Sequence, residues 1–298
     1  MSLPTNFDAI RSFAVFADKL NFTRAAEELH ISQPALHMKI QDLSTALGVQ
    51  LYRKVGRHLE LTEQGEIVAR YGRQLSDSAA DLQRELSGSG PVRPVILAAG
   101  EGAFLYLLGP AIREFLRKSS APLRLVTVDR EGVLTALRAS KAHIGVAAVD
   151  TVPSDLIARP LVKVGQVVAM PHDHPLARKR RLKLTELKDS NLVVPPIDRP
   201  HRQMLASALS SAGVEWTVAV EATGWELMLH FVKLGMGLAV VNSMCAIPRG
   251  LVTRPLADLP KVQYYLLQTD ARTKIAAHQE LADLLVKNAL KRSSSALG

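Results

Sequence analysis

Residues 21–40 read NFTRAAEELHISQPALHMKI, and this stretch decides the fold. Ala25, Ala26 and Leu29 stand at i, i+1 and i+4, so they share the inner face of a short helix. Ser32 is placed to cap a second helix, whose first turn tolerates Pro34 because the N–H groups there have no intrahelical partner. Ala35, Leu36 and Ile40 give that second helix an inner face. Gln33, His37, Lys39 and Gln41 give it an outer face of long or hydrogen-bonding side chains. A helix pair of this size, with a polar and partly cationic outer face, suits the DNA major groove. The same pair could be a plain helical hairpin, so its surroundings have to decide.

Upstream, Phe7, Ile10, Phe13, Ala14, Phe16, Ala17 and Leu20 form an amphipathic first helix, which makes a tri-helical core. Downstream, Gly48 is a stop for the second helix of the pair. Residues 51–62, LYRKVGRHLELT, then read as a strand, a basic tip and a returning strand, which is a wing. No acidic residue lies between Leu43 and Leu59, while Arg53, Lys54 and Arg57 do.

These residues resemble the winged helix-turn-helix of the LysR-type transcriptional regulators. The resemblance rests on Phe13, Ala25-Ala26, Leu29, Ser32-Gln33-Pro34-Ala35-Leu36, Ile40, Leu43, Leu47-Gly48, Leu51-Tyr52-Arg53 and Leu61-Thr62-Glu63-Gln64-Gly65. It departs from the family at His37 and Met38, where a Ser or Thr followed by Arg is frequent, so the base preference of that turn is this chain's own. On this reading Gln33, Pro34, Ala35 and His37 approach base edges. Arg24, Ser32, Lys39 and Arg53 hold phosphates, and Arg57 and His58 reach toward the minor groove.

Charge alone would mislead. The net charge of +9 is not carried by the DNA-reading segment: residues 1–87 hold 10 Lys/Arg and 11 Asp/Glu, a net of −1, which leaves 27 and 17, a net of +10, beyond them. DNA binding therefore depends on where a few cations sit. The single cysteine, Cys245, excludes an intrachain disulfide and so the cysteine-pair chemistry of the family's peroxide sensors; it reads as an inert core thiol. No run approaches the ~20 apolar residues of a membrane helix, and the N-terminus has no signal-peptide pattern. No membrane partner and a cytoplasmic location are expected.

Thr62 caps a long helix to about Leu86. Val68, Tyr71, Leu75, Ser78 and Leu82 recur on it at spacings of three and four, a coiled-coil-like stripe that calls for a partner. Antiparallel homodimerisation is the favoured reading; an intrachain packing face is the alternative. Ser87-Gly88-Ser89-Gly90-Pro91 is a hinge. Beyond it, strands alternate with helices: strands over 95–99, 123–128 and 144–149, helices over 104–118 and 131–140, then strands over 167–170, near 192–194, 216–220 and 238–241, and from 261 or 262 to 268. A helix over 273–290 closes the chain, and residues 293–298 fray. This is βαβ logic with a parallel sheet. The expected domains are 1–61 (winged helix-turn-helix), 62–90 (linker helix and hinge) and 91–298, with lobe I at about 91–162 and 269–298 and lobe II at about 163–268. The fold class is α/β overall.

Later landmarks, His174-Pro175-Leu176-Ala177, Leu184-Thr185-Glu186-Leu187 and residues 232–238, resemble the family's two-lobed effector domain, which is similar to periplasmic solute-binding proteins. Ala142-His143-Ile144-Gly145 and Asn242 depart from it. Ligands of open α/β sheets sit beyond the carboxyl ends of strands, at helix N-termini. Those places are Gly100, Glu101, Gly102 and Ala103; 129–131 with Arg130; 195–202 with Pro196, Ile197, Arg199, His201 and Arg202; and 221–225 with Thr223 and Trp225. A small anion, such as a carboxylate, is the expected effector. Glu101 works against it: this residue either recognises an amine or hydroxyl or occupies the anion site itself.

The basic run Arg178-Lys179-Arg180-Arg181 reads as a solvated loop, and His172-x-His174 as a turn with no set of ligands to complete a metal site. No catalytic or cofactor motif appears. The expected function is a ligand-responsive regulator that binds an inverted-repeat promoter site. Its partners are double-stranded DNA, a small effector, itself as a dimer and, as the resemblance implies, a tetramer, with RNA polymerase a possible further one. A solute-binding or carrier protein, or an enzyme with a DNA-binding domain, are the alternatives.

Overall fold

The structure, a computed structural model, describes residues 6–87, 94–270 and 275–295. The centre of the expected hinge (88–91), the expected start of the last helix (273–274) and residues 296–298 lie outside the described residues. Two compact units emerge: Met1–Ala98 with Ser119–Val126 and Glu131–Gly145, and Ala99–Lys118 with Thr127–Arg130 and Val146–Gly298.

The first unit begins with α1 (Phe7–Lys19), α2 (Phe22–Glu28) and α3 (Gln33–Leu47), each started by a side-chain cap. Asn6, Asn21 and Ser32 accept from the N–H groups of Asp8, Arg24 and Ala35 at 3.0, 3.1 and 3.3 Å. Gly48 ends α3 at φ 66°, a left-handed geometry that a residue without Cβ adopts freely. Phe13, Phe16, Ala25, Ala26, Leu36, Ile40, Leu43 and Leu51 fill the core between the helices. Phe7 and Leu20, expected inside, are exposed because they stand at the two ends of α1. The wing is β1 (Tyr52–Val55) paired antiparallel with β2 (His58–Leu61), turning at Gly56 with φ 60°.

The long helix α4 (Glu63–Ser87) starts at Thr62, whose Oγ1 accepts the Gly65 N–H at 3.0 Å and donates to the Gln50 carbonyl at 2.6 Å. Gly72 lets α1 and α4 cross closely: a Cβ there would stand 2.7 Å from the Ile10 carbonyl oxygen. Strand β3 (Val95–Ala99) follows α4, and β4 (Leu123–Thr127), β3 and β5 (Ile144–Ala148) stand side by side in that order.

In the second unit, α5 (Glu101–Ala103) runs through a π-helical stretch (Phe104–Leu108) into α6 (Gly109–Lys118), so this helix starts three residues before the expected Phe104. Helix α7 (Arg130–Arg138), which belongs to the first unit from Glu131 onward, lies where a helix over 131–140 was expected. Two strands were not anticipated. The first, β6 (Ile157–Val164), pairs antiparallel with a later strand, β12 (Val262–Gln268). The second, β11 (Leu251–Pro255), pairs antiparallel with β7 (Gln166–Pro171), whose other edge takes β10 (Ala239–Asn242), also antiparallel. Only β8 (Ser190–Val194) with β9 (Trp216–Glu221) is a parallel pair among these registers. Antiparallel pairs therefore stand beside a parallel one, where βαβ logic with a parallel sheet was expected. Helices α8 (Pro200–Ser211) and α9 (Trp225–Lys233) begin just after β8 and β9, and α10 (Ala276–Ser295) closes the described chain. Leu192, Val194, Leu205, Leu209, Leu238 and Val240 centre the core under α8.

Among the described residues no helix is long and apolar enough to cross a membrane, and no group of His, Cys, Asp or Glu is placed to hold a metal ion.

Candidate DNA-reading face and effector cavity

The outward face of α3 is held in place from below. Phe16 and Phe22 pack at 4.3 Å, and Tyr52 of the wing sets its edge against both, at 5.2 and 5.6 Å. This aromatic cluster ties α1, α2 and β1 into one body. His37 rests on Phe22 at 5.2 Å, a contact that steadies its ring while leaving the side chain exposed. Gln33, His37 and Gln41, one helical turn apart, are all exposed, as are Pro34 and Ala35; Met38 beside them is 62 % exposed. Ser32 uses one lone pair of its hydroxyl on the α3 cap, which leaves the hydroxyl hydrogen to donate outward.

The expected phosphate cations divide into two kinds. Arg24, Arg57 and His58 are exposed, the last two at the wing tip. Lys39 and Arg53 already have partners: Lys39 reaches Asp8 at 2.5 Å, and Arg53 pairs with Glu60, its direct cross-strand neighbour, at 3.2 Å. For these two, a phosphate would have to displace an exposed carboxylate, which costs little in water.

Of the expected stripe on α4, Tyr71, Leu75 and Leu82 are uncovered, and only its first member differs, Ile67 standing outward in place of Val68. Val68 packs on the tri-helical core. The uncovered apolar side chains are Ile67, Tyr71, Leu75, Leu82 and Leu86. They follow at four, four, seven and four residues, one continuous face of the helix.

Midway along α4, Arg73 is nearly buried and carries a joint. Its Nε and Nη2 donate to Asp18 of α1 at 3.1 and 2.7 Å, and its Nη1 donates to the Ala139 carbonyl after α7 at 2.7 Å. Gln74 donates to Ser140 Oγ at 3.2 Å. His143, one of the family departures, accepts the Ile96 N–H on Nδ1, so its Nε2 carries the hydrogen and faces Asp77 at 3.8 Å.

In the second unit a cavity of about 380 Å³ opens beyond the carboxyl ends of β4, β8 and β9. Of the expected residues, Gly100, Glu101, Gly102, Pro196, Arg199, His201, Thr223 and Trp225 line it. Four do not. Ala103 is buried, Ile197 is exposed, and Arg130 lies 3.8 Å from Asp150. Arg202 is also buried, with its guanidinium over the Trp216 ring at 4.3 Å; consecutive helix residues point about 100° apart, so His201 faces the cavity and Arg202 cannot. Thr127, Val128 and Met228 line the cavity without having been anticipated. They sit on a strand end and one turn inside α9, where a search of loops does not look.

His201 sets its ring edge-on to Trp225 at 4.6 Å, and its Nε2 meets Gln166 Oε1 at 3.2 Å. Gln166 donates its own amide to Asn242 Oδ1 at 3.0 Å, and Asn242 donates to the Tyr264 hydroxyl at 3.3 Å. This buried chain accounts for Asn242, another family departure. Burial pushes His201 down to about 4 and Tyr264 up to about 12. The neutral imidazole then stabilises the fold fully above its unfolded value of 6.5, and this contribution is lost as pH falls toward about 4. The melting temperature is expected to drop across that window and to drop less in His201→Gln; an equally steep profile in the variant would refute this. Cys245 is buried and pushed up to about 12, so it holds no reactive thiolate.

A model of the bacterial regulatory helix-turn-helix protein, lysR family, matches residues 7–66, and one of the LysR substrate binding domain matches residues 88–290. The chain belongs to the LysR family. It is a LysR-type, ligand-responsive, DNA-binding transcriptional regulator. The RuBisCO operon transcriptional regulator of Allochromatium vinosum is 29% identical over 252 residues, 84% of this chain and 83% of that protein. The HTH-type transcriptional regulator XapR of Escherichia coli (strain K12) is 27% identical over 277 residues, 90% and 94% of the two chains. Among solved structures, a full-length OxyR variant from Pseudomonas aeruginosa aligns with TM-score 0.77 at 22% identity over 94% of each chain. CbnR, a LysR family regulator complexed with its target DNA, aligns with TM-score 0.60 at 18% identity over 96% of this chain and 100% of that one. At such identities the structural likeness speaks for the fold of this LysR-type chain. A carrier role finds no support beside these matches, and the family is one of regulators, not enzymes.

Proposed function

We propose that this chain works as a homodimer, assembled further into a tetramer, that reads an inverted-repeat promoter site and changes its grip when a small molecule fills the cavity. The observation that carries the reading is the pairing of the capped helix α3, with Gln33, His37 and Gln41 exposed in one row, and the cationic wing tip at Arg57 and His58. Base edges fall to Gln33, Pro34, Ala35 and His37; phosphates to Arg24, Ser32, Lys39 and Arg53; the minor groove to Arg57 and His58. The apolar face of α4 belongs to a second copy of the chain, the kind of partner that a coiled-coil-like spacing suits. The Arg73 joint gives the DNA-reading helices a rigid link to the turn after α7. Such a regulator acts in the cytoplasm, where the DNA is, and RNA polymerase is its natural further partner. Residues 1–61, 62–90 and 91–298 are its functional divisions.

Fluorescence anisotropy with DNA flanking the gene, at rising salt, tests this. Affinity should fall steeply with salt. His37→Ala should narrow the gap between specific and random DNA by roughly 1–3 kcal/mol, whereas Arg53→Ala should weaken both alike. Equal effects of the two variants on both DNAs would remove the assigned division of labour, and no specific binding at any salt would remove the reading itself.

A further inference from the structure

We infer that the effector carries a cationic nitrogen, an ammonium or amidinium group, which Glu101 receives. The inference rests on the cavity being the effector site, and it replaces the expected anion. The ionised residues lining the cavity are Glu101, Asp129 and Arg199, since burial keeps His201 neutral. Arg199 faces Asp129 at 3.3 Å and offsets it. The carboxylate of Glu101 is exposed, and among the described residues it makes no hydrogen bond and no ion pair. The lining therefore carries one uncompensated negative charge.

The place of that charge excludes a bound anion. Gly224 caps α9 without a side chain, at φ 87°. The Glu101 oxygens lie 3.3 and 3.4 Å from where a Gly224 Cβ would stand. A helix N-terminus favours a negative group, and here the chain's own carboxylate already lies against it. A second carboxylate would meet Glu101 at close range in a partly enclosed site, where like charges repel strongly. A cation is favoured by the same geometry. Its apolar part can rest on Trp225, Pro196 and Met228, and an indole is a good neighbour for a cationic nitrogen. Thr127 and Thr223 supply hydroxyls that can accept further N–H groups.

Benzamidine and benzoate, nearly isosteric and opposite in charge, test the idea by titration calorimetry on the full chain at neutral pH. Wild type should bind benzamidine at least about tenfold more tightly than benzoate. Glu101→Gln should erase that preference, and Glu101→Ser should reverse it. Both variants should melt within a few degrees of wild type, because Glu101 is exposed and makes no hydrogen bond among the described residues, and its charge at the start of α9 contributes little at an exposed position. Equal or tighter binding of benzoate by wild type, no binding of either probe, or an undiminished preference in Glu101→Gln would each overturn the proposal. Specific DNA binding measured on the same preparations separates the two readings. If it persists while the charge preference is absent, the regulator stands and only the ligand class falls.

Discussion

Gly65→Ala is expected to destabilise the DNA-reading unit by about 3 kcal/mol and to abolish specific DNA binding. A Cβ on Gly65 would stand 1.9 Å from the Leu51 carbonyl oxygen and 2.9 Å from its carbonyl carbon. The oxygen cannot swing away, for it belongs to the backbone and accepts the Thr62 N–H at 3.2 Å. Relief requires α4 to slide from the wing. That would break the Thr62 bridge to Gln50 and lift the fully buried Leu51 from the core. The higher helix propensity of Ala, worth about 1 kcal/mol, acts in the other direction and is too small to compensate. Gly109→Ala is the control, since nothing stands within 4 Å of its Cβ position. It should be neutral or stabilising by up to about 1 kcal/mol. Thermal unfolding followed by circular dichroism separates them. Matching melting temperatures for the two variants would mean that α4 can move off the wing at little cost.

The second large effect concerns α4. Leu75→Asp combined with Leu82→Asp places two charges on the uncovered apolar face. Sedimentation should show a monomer where wild type is at least dimeric. Affinity for an inverted repeat should fall by about 10²-fold or more, because the second half-site is no longer bound at a high effective concentration. Affinity for a single half-site should stay within a few fold. A variant that still sediments as a dimer would assign this face to some other role.

The tri-helical unit was legible because its signals are local. Asn21, Ser32 and Gly48 act within a turn of their own helices, and the apolar spacing of Ala25, Ala26, Leu36 and Ile40 repeats at the helical period. Even the Gly65 landmark was visible, although its reason, the Leu51 carbonyl, appears only in three dimensions. Other features depend on tertiary pairing. Asp8 lies thirty-one residues from Lys39, and nothing local says that they meet. Val68 and Ile67 are neighbours on a helix with two apolar faces, and only the packing of α1 reveals which face is spent. The missed strands β6 and β11 contain Arg159, Pro160 and Arg254, which break the alternation a strand reader follows. In the cavity, loops and helix starts were readable as places. Which of His201 and Arg202 faced inward was not, because that choice turns on the ring of Trp216, fourteen residues further on.

Selection from a pool of random-sequence duplex DNA tests the central claim most directly. The enriched sequences should share an inverted repeat, with half-sites one helical turn, about 34 Å, or a multiple of it apart. Enrichment should be lost when Leu75 and Leu82 are both replaced by Asp. No enrichment from wild type, or enrichment of a lone asymmetric site that the double variant binds equally well, would contradict the account of two paired recognition helices on one site.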